Sequence, residues 1–114
     1  MCGIFGTISK EKVEVNKNIL HHRGPDDWGV EYLQNNFSLT FFQSRLSIIG
    51  LGSQGHQPFR KFKDYILCYN GEIYNYKFLK KKLIKTKNIE FETETDTELL
   101  YEYLIAYGIK RTLN

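Results

Sequence analysis

Long apolar runs are missing from these 114 residues. None approaches the roughly 20 residues that cross a bilayer as a helix. No basic segment followed by an apolar one opens the chain, so a secretory leader is not expected and the cytoplasm is the expected location. Cysteine is scarce, with only Cys2 and Cys68, which excludes a disulfide framework. The three histidines, His21, His22 and His56, lack zinc-ligand spacing with either cysteine, so no metal site is expected. Neither sign of charge dominates: 16 basic residues face 13 acidic ones, for a net charge of +3. With 41% apolar residues, that balance excludes wholesale disorder. A nucleic-acid binder would carry a more concentrated basic face. The densest basic run, Lys80-Lys81-Lys82 with Lys77, Lys85 and Lys87, reads as a solvated helix face.

The length fits one domain. Residues 2–8, apolar on both faces and holding Gly3 and Gly6, predict a first strand. Val15, Ile19 and Leu20 at helical spacing predict a helix over residues 14–22, stopped by Gly24-Pro25-Asp26-Asp27. Strands are expected at 29–33, 38–43 and 45–49, with Asn35-Asn36 turning the first hairpin, and another at 65–69. A helix over 74–86 sets Phe78, Leu79, Leu83 and Ile84 opposite its lysines. In a second, Thr95 as N-cap and Glu98 three residues on form a capping box. Leu100, Tyr103, Leu104 and Tyr107 follow at the spacing of a buried stripe, and Gly108 is placed to end the helix. Strands with hairpin-like neighbours, interrupted by helices, make the fold class α+β with antiparallel sheet.

Cys2 holds the first chemical signal. If Met1 is excised, one residue carries both a thiol and a free α-amine, whose pKa of about 7.7–8.0 suits it to accept a proton. Downstream come His22-Arg23-Gly24-Pro25-Asp26-Asp27, Arg45-Leu46-Ser47-Ile48, Gly55-His56-Gln57-Pro58 and Tyr69-Asn70-Gly71-Glu72-Ile73-Tyr74-Asn75. Alone, Asn70-Gly71 is an ordinary turn, and Asp96 is an acid well placed in a first helical turn. Together with the Met1-Cys2-Gly3-Ile4-Phe5-Gly6 start, these motifs resemble the glutaminase domain of class II glutamine amidotransferases, which are N-terminal-nucleophile hydrolases. Within that family the Gly-Pro-Asp-Asp form is most similar to glutamine-hydrolysing asparagine synthetases.

The resemblance implies glutamine hydrolysis, with Cys2 as nucleophile, its own amine as base and Asn70 and Gly71 as the oxyanion hole. It assigns Arg45 to the substrate carboxylate, Asp96 and Glu72 to the substrate ammonium, and Leu46, Ser47, Ile48 and Ile49 to a pocket-forming stretch. Arg23, Asp26 and Asp27 are expected to shape a loop beside the site, and His22, His56 and Gln57 to be loop structure. Cys68, in an apolar run, is expected to be buried. The family fold is a four-layer αββα sandwich of antiparallel sheets, of which these residues are expected to form the N-terminal portion. No cofactor is expected here. The resemblance implies ATP and magnesium on an absent C-terminal synthetase domain, which receives ammonia for amide synthesis such as aspartate to asparagine. The expected partners are L-glutamine, that synthetase domain and, where a sheet edge or face lacks cover, a second copy of the chain. The alternative is an inactive glutamine-binding or interaction module.

Overall fold

The computed structural model describes residues 2–47 and 52–114. Among them, β1 (Gly3–Ser9), β2 (Asp27–Gln34) and β3 (Ser38–Arg45) form one antiparallel sheet in the order β1-β3-β2. Helices α1 (Tyr76–Lys87) and α2 (Asp96–Leu113) follow and pack on each other. The α+β class with antiparallel sheet is as expected. The β2–β3 turn falls at the two asparagines, where Asn35 N–H donates to the Phe37 carbonyl (3.1 Å).

Register explains which residues share a face. Phe5 and Val30 flank Phe42, which is fully buried. Thr7 and Tyr32 flank Thr40, and Gly3 and Trp28 flank Ser44. Residues 12–23 lie over this face. The Thr40 hydroxyl donates to the Val13 carbonyl (3.2 Å) and the Ser44 hydroxyl to Leu20 (2.9 Å). One expectation is corrected: the helix expected over 14–22 is only a 3₁₀ turn, Lys17–Leu20, opened by the Asn16 side chain accepting from Asn18 N–H. The Ile19 and Arg23 amides bond only three residues back, to the Asn16 and Leu20 carbonyls (3.0 and 2.9 Å), while the sheet's hydroxyls pin the segment before the turn and at its end.

Two further expectations change. The two strands expected at 38–43 and 45–49 are one, because β3 pairs without a break to Arg45. Leu46 and Ser47 lie beyond the strand, and residues 48–49 lie outside the described residues. The strand expected at 65–69 does not form. It has one bridge, Phe59 with Leu67, and the backbone at both of its ends is bound by side chains. The Tyr101 hydroxyl reaches the Tyr65 carbonyl (3.1 Å), and the Gln43 amide reaches that of Tyr69 (3.0 Å). Gly108 ends the first helical run of α2, as expected, and a second short run continues past this kink to Leu113. Its φ of 75° and ψ of 167° suit glycine, while the Thr112 hydroxyl bridges to the Gly108 carbonyl (2.8 Å).

The start of α2 follows its grammar. Thr95 Oγ1 accepts from Glu98 N–H (3.3 Å), but the Glu98 carboxylate reaches beyond the cap to the Glu92 and Thr93 amides (2.9 and 2.6 Å). The expected stripe of Leu100, Tyr103, Leu104 and Tyr107 is half-buried. The fully covered residues are Glu98, Leu99, Tyr101 and Glu102. This face is polar because Lys61 neutralises it, lying 3.2 Å from Glu98 and 2.8 Å from Glu102. The Lys61 ammonium also donates to the Glu90 carbonyl, so its three N–H donors are all engaged. No described helix is long and apolar enough to cross a membrane.

Candidate active site

A cavity of about 350 Å³, within the size range of small-molecule clefts, opens where the sheet, the loop before α1 and the start of α2 meet. Cys2, just ahead of β1, lines it, as do Arg45 and Leu46 at the end of β3. Tyr69, Asn70, Gly71, Glu72 and Tyr74 form the loop side. Asp96 and Thr97, in the first turn of α2, close it with Gln57. Antiparallel pairing brings the β1 start beside the β3 end, since Gly3 is the partner of Ser44. That register sets Cys2 next to Leu46, whose N–H points to the Cys2 sulfur (3.4 Å).

Arg45 is 5% exposed. Its guanidinium donates to Ser47 Oγ (2.8 Å), and a Cβ on Gly55 would overlap it, so glycine at that position leaves its seat. Ser47 supports Arg45 and does not line the cavity; its own N–H is fixed by Asp26 (2.7 Å). Ile48 and Ile49, expected at the pocket, lie outside the described residues. Asp26 and Asp27 hold loops beside the site, Asp27 through His56 Nδ1 (2.9 Å).

On the loop side, Asn70 Nδ2 donates to the Cys2 carbonyl (3.2 Å). Asp96, 6% exposed, accepts the Ile73 N–H (2.9 Å), so the helix start tethers the loop that carries Asn70 and Gly71. Burial, with the charges of Asp96 and Glu72 and the Tyr74 phenol, holds the Tyr69 hydroxyl above its ordinary pKa, keeping it a neutral donor near neutrality. One guanidinium and two carboxylates therefore border the cavity, a charge pattern that complements a molecule bearing one carboxylate and one ammonium group. Among the described residues no three His, Cys, Asp or Glu side chains gather as a metal site. Cys68, expected to be buried, is half-buried, and that degree of burial pushes its thiol up to about 11.

Sequence reasoning missed Gln57, Tyr69, Tyr74 and Thr97 as cavity residues. Gln57 is 5% exposed; its Oε1 accepts Tyr69 N–H (2.7 Å) and its Nε2 donates to Thr97 Oγ1 (3.2 Å). A glutamine within a glycine- and proline-bearing loop carries no periodic signal. Tyr69 and Thr97 each adjoin an expected site residue, which was the available clue.

The family described as "Glutamine amidotransferase domain" matches residues 1–114. The chain is 43% identical, over 95% of its length, to a Methanocaldococcus jannaschii protein that carries the provisional name glutamine-hydrolysing asparagine synthetase 2, and covers 24% of it. It is 36% identical to Saccharomyces cerevisiae asparagine synthetase (glutamine-hydrolysing) 1 over 96% of the chain and 19% of that protein. To the rat asparagine synthetase (glutamine-hydrolysing) it is 33% identical, over 99% of the chain and 20% of that protein. The chain thus spans about a fifth to a quarter of the curated relatives it matches. No solved structure matches it.

Proposed function

The chain belongs to the glutamine amidotransferase domain family, and on that premise we propose that its cavity hydrolyses L-glutamine at Cys2, releasing ammonia and glutamate. The Cys2 thiol attacks the side-chain amide carbon, and its proton passes to the α-amine freed by loss of Met1. The oxygen that becomes negative is met by the Asn70 side-chain N–H and the Gly71 backbone N–H. Neutral donors of this kind are worth about 10²–10³ in rate each. The amine returns the proton to the leaving nitrogen, the C–N bond breaks, and ammonia departs from a γ-glutamyl thioester on Cys2. Water then attacks that carbonyl, the C–S bond breaks, and glutamate leaves with the thiol restored.

Arg45 takes the substrate α-carboxylate through its planar fork, and Asp96 with Glu72 takes the α-ammonium. Leu46 borders the pocket, and Ser47 supports it by holding Arg45. The observation that carries this reading is convergence: Cys2, Arg45, Asn70, Gly71, Glu72 and Asp96, scattered over 95 residues of sequence, border one cavity.

In a longer protein, the ammonia would serve an ATP- and magnesium-dependent amide synthesis, aspartate to asparagine being the example its relatives' names supply. The sheet and its helices would then be one part of a four-layer αββα sandwich, in a cytoplasmic enzyme. Ile4 and Ile8 on the outer strand β1 are 43% and 73% exposed, which supports self-association of the isolated chain.

Ammonia release from glutamine tests the reading, with the N-terminus defined by mass spectrometry. The expected result is release by the chain beginning at Cys2 and none by Cys2→Ala. Release undiminished in Cys2→Ala overturns the assignment, and glutamine binding without turnover supports the inactive module instead.

A further inference from the structure

We propose that Gln57 is a positioning residue for this cavity: alongside the Asp96–Ile73 bond, its side chain fastens the wall carrying Asn70 and Gly71 to the wall carrying Asp96. The proposal rests on the glutaminase reading and deepens it. Gln57 is nearly inaccessible, and both ends of its amide are spent on opposite walls. Oε1 accepts the Tyr69 N–H, one residue before Asn70, and Nε2 donates to the Thr97 hydroxyl, one residue after Asp96.

Its own backbone is fixed independently. A Cβ on Gly29 of β2 would overlap the Gln57 carbonyl, so the loop is pressed against the sheet. Two residues on, Phe59 is bridged to Leu67 in both directions (2.8 and 2.9 Å). The amide therefore acts as a spacer held from the sheet side. It sets the separation between the groups assigned to the amide oxygen and those assigned to the ammonium at the other end of the same substrate. Hydrophobic replacement would leave the Tyr69 amide without its acceptor and let the loop drift, and reacting groups misplaced by about 1 Å can cost on the order of 100-fold.

The two cysteines provide the test. Cys2 borders the cavity, whereas Cys68 is half-buried outside it with its thiol pushed up to about 11, so Cys68 alkylation faster than in the wild type reports loss of fold. The chain beginning at Cys2 is treated with the diazoketone analogue of glutamine, which bonds to a thiol sulfur through its methylene carbon as dinitrogen leaves and the thiol proton passes to that carbon. A parallel sample receives iodoacetamide, which needs no substrate recognition. Peptide mass spectrometry reads each cysteine.

For Gln57→Met, nearly the same shape without either hydrogen bond, Cys2 labelling by the analogue is expected to slow by about 10- to 100-fold. Iodoacetamide should still modify Cys2 at an unchanged rate, with Cys68 protected. Thr97→Val should slow analogue labelling in the same direction and Thr97→Ser restore it. The double variant should be no slower than Gln57→Met alone, because both changes break one linkage. Analogue labelling at the wild-type rate in Gln57→Met, with Cys68 protected, overturns the proposal while leaving the glutaminase reading intact. If Gln57→Met exposes Cys68, the Thr97 pair decides: Val slowed and Ser restored supports the spacer, and Val unchanged overturns it. Failure of the analogue on the wild-type chain, with iodoacetamide still reaching Cys2, overturns the glutaminase reading and this proposal together.

Discussion

Two polar regions meet at the first turns of α2, and they are built differently. On one side Asp96 and Thr97 border the cavity with Cys2, Asn70 and Gly71, leaving polar groups along an open space. On the other, Glu98 and Glu102 close around Lys61, and Tyr101 binds the backbone of Phe62 and Tyr65 (2.9 and 3.1 Å). The second region spends its hydrogen-bonding capacity within the protein, as buried polar groups must. It holds loop 56–69 to the helix. Charge and burial alone do not mark a site; polar groups arranged around space that a ligand can fill do.

The contrast predicts that changes on the cavity side remove turnover and leave stability nearly untouched, while changes at the anchor do the reverse. The largest effect is expected from Cys2→Ala, which should abolish ammonia release while its melting temperature stays within a degree or so, as expected for a surface-type change. Lys61→Met should destabilise by about 3–5 kcal/mol, since it strands two buried carboxylates; denaturant unfolding measures this. Asn70→Ala should lower kcat by about 10²–10³ with little change in unfolding. A loss of stability in Asn70→Ala matching that of Lys61→Met would erase the distinction between the regions.

The smallest effect expected is in the pH dependence of stability. Burial alone would raise the Glu98 carboxyl, but the Glu92 and Thr93 amides, the Thr93 hydroxyl and Lys61 outweigh it and hold the pKa below its ordinary value. Burial likewise opposes the Lys61 charge, and Glu102 and Glu98 outweigh it, raising its pKa. A lowered carboxyl stabilises fully above its unfolded value and loses that contribution as pH falls through its folded value. A raised lysine stabilises fully below its unfolded value and loses that contribution as pH rises through its folded one. Thermal melts across pH should therefore show a plateau with an acid and an alkaline limb. Lys61→Met should flatten the alkaline limb and leave most of the acid one, because the backbone bonds to Glu98 remain.

Much of the cavity side was legible in the sequence because its residues sit in short motifs of distinctive chemistry: Cys2 at the start, Arg45 at the head of an expected strand, Asn70-Gly71 at a break, Asp96 after a capping threonine. The cavity gathers these even though Ser47 proves to be a support for Arg45. The first strand was legible from its apolar run with two glycines and the β2–β3 hairpin from Asn35-Asn36, although β3 was read as two strands. The anchor was not, because a buried lysine and two buried glutamates look like surface in any hydrophobic pattern, and only their mutual contact makes burial tolerable. The same limit explains the lost strand at 65–69. Its apolar run reads as sheet, but backbone groups at its two ends, Tyr65 and Tyr69, are taken by the side chains of Gln43, Gln57 and Tyr101, partners up to tens of residues away. Gln57 was passed over for the same reason.

The most direct test is to mix the chain beginning at Cys2 with glutamine, quench in acid and weigh its peptides. The account predicts a peptide containing Cys2 that is heavier by one glutamine less one ammonia, and an unmodified Cys68 peptide. Ammonia release with no adduct on Cys2, persisting in Cys2→Ala, would contradict it.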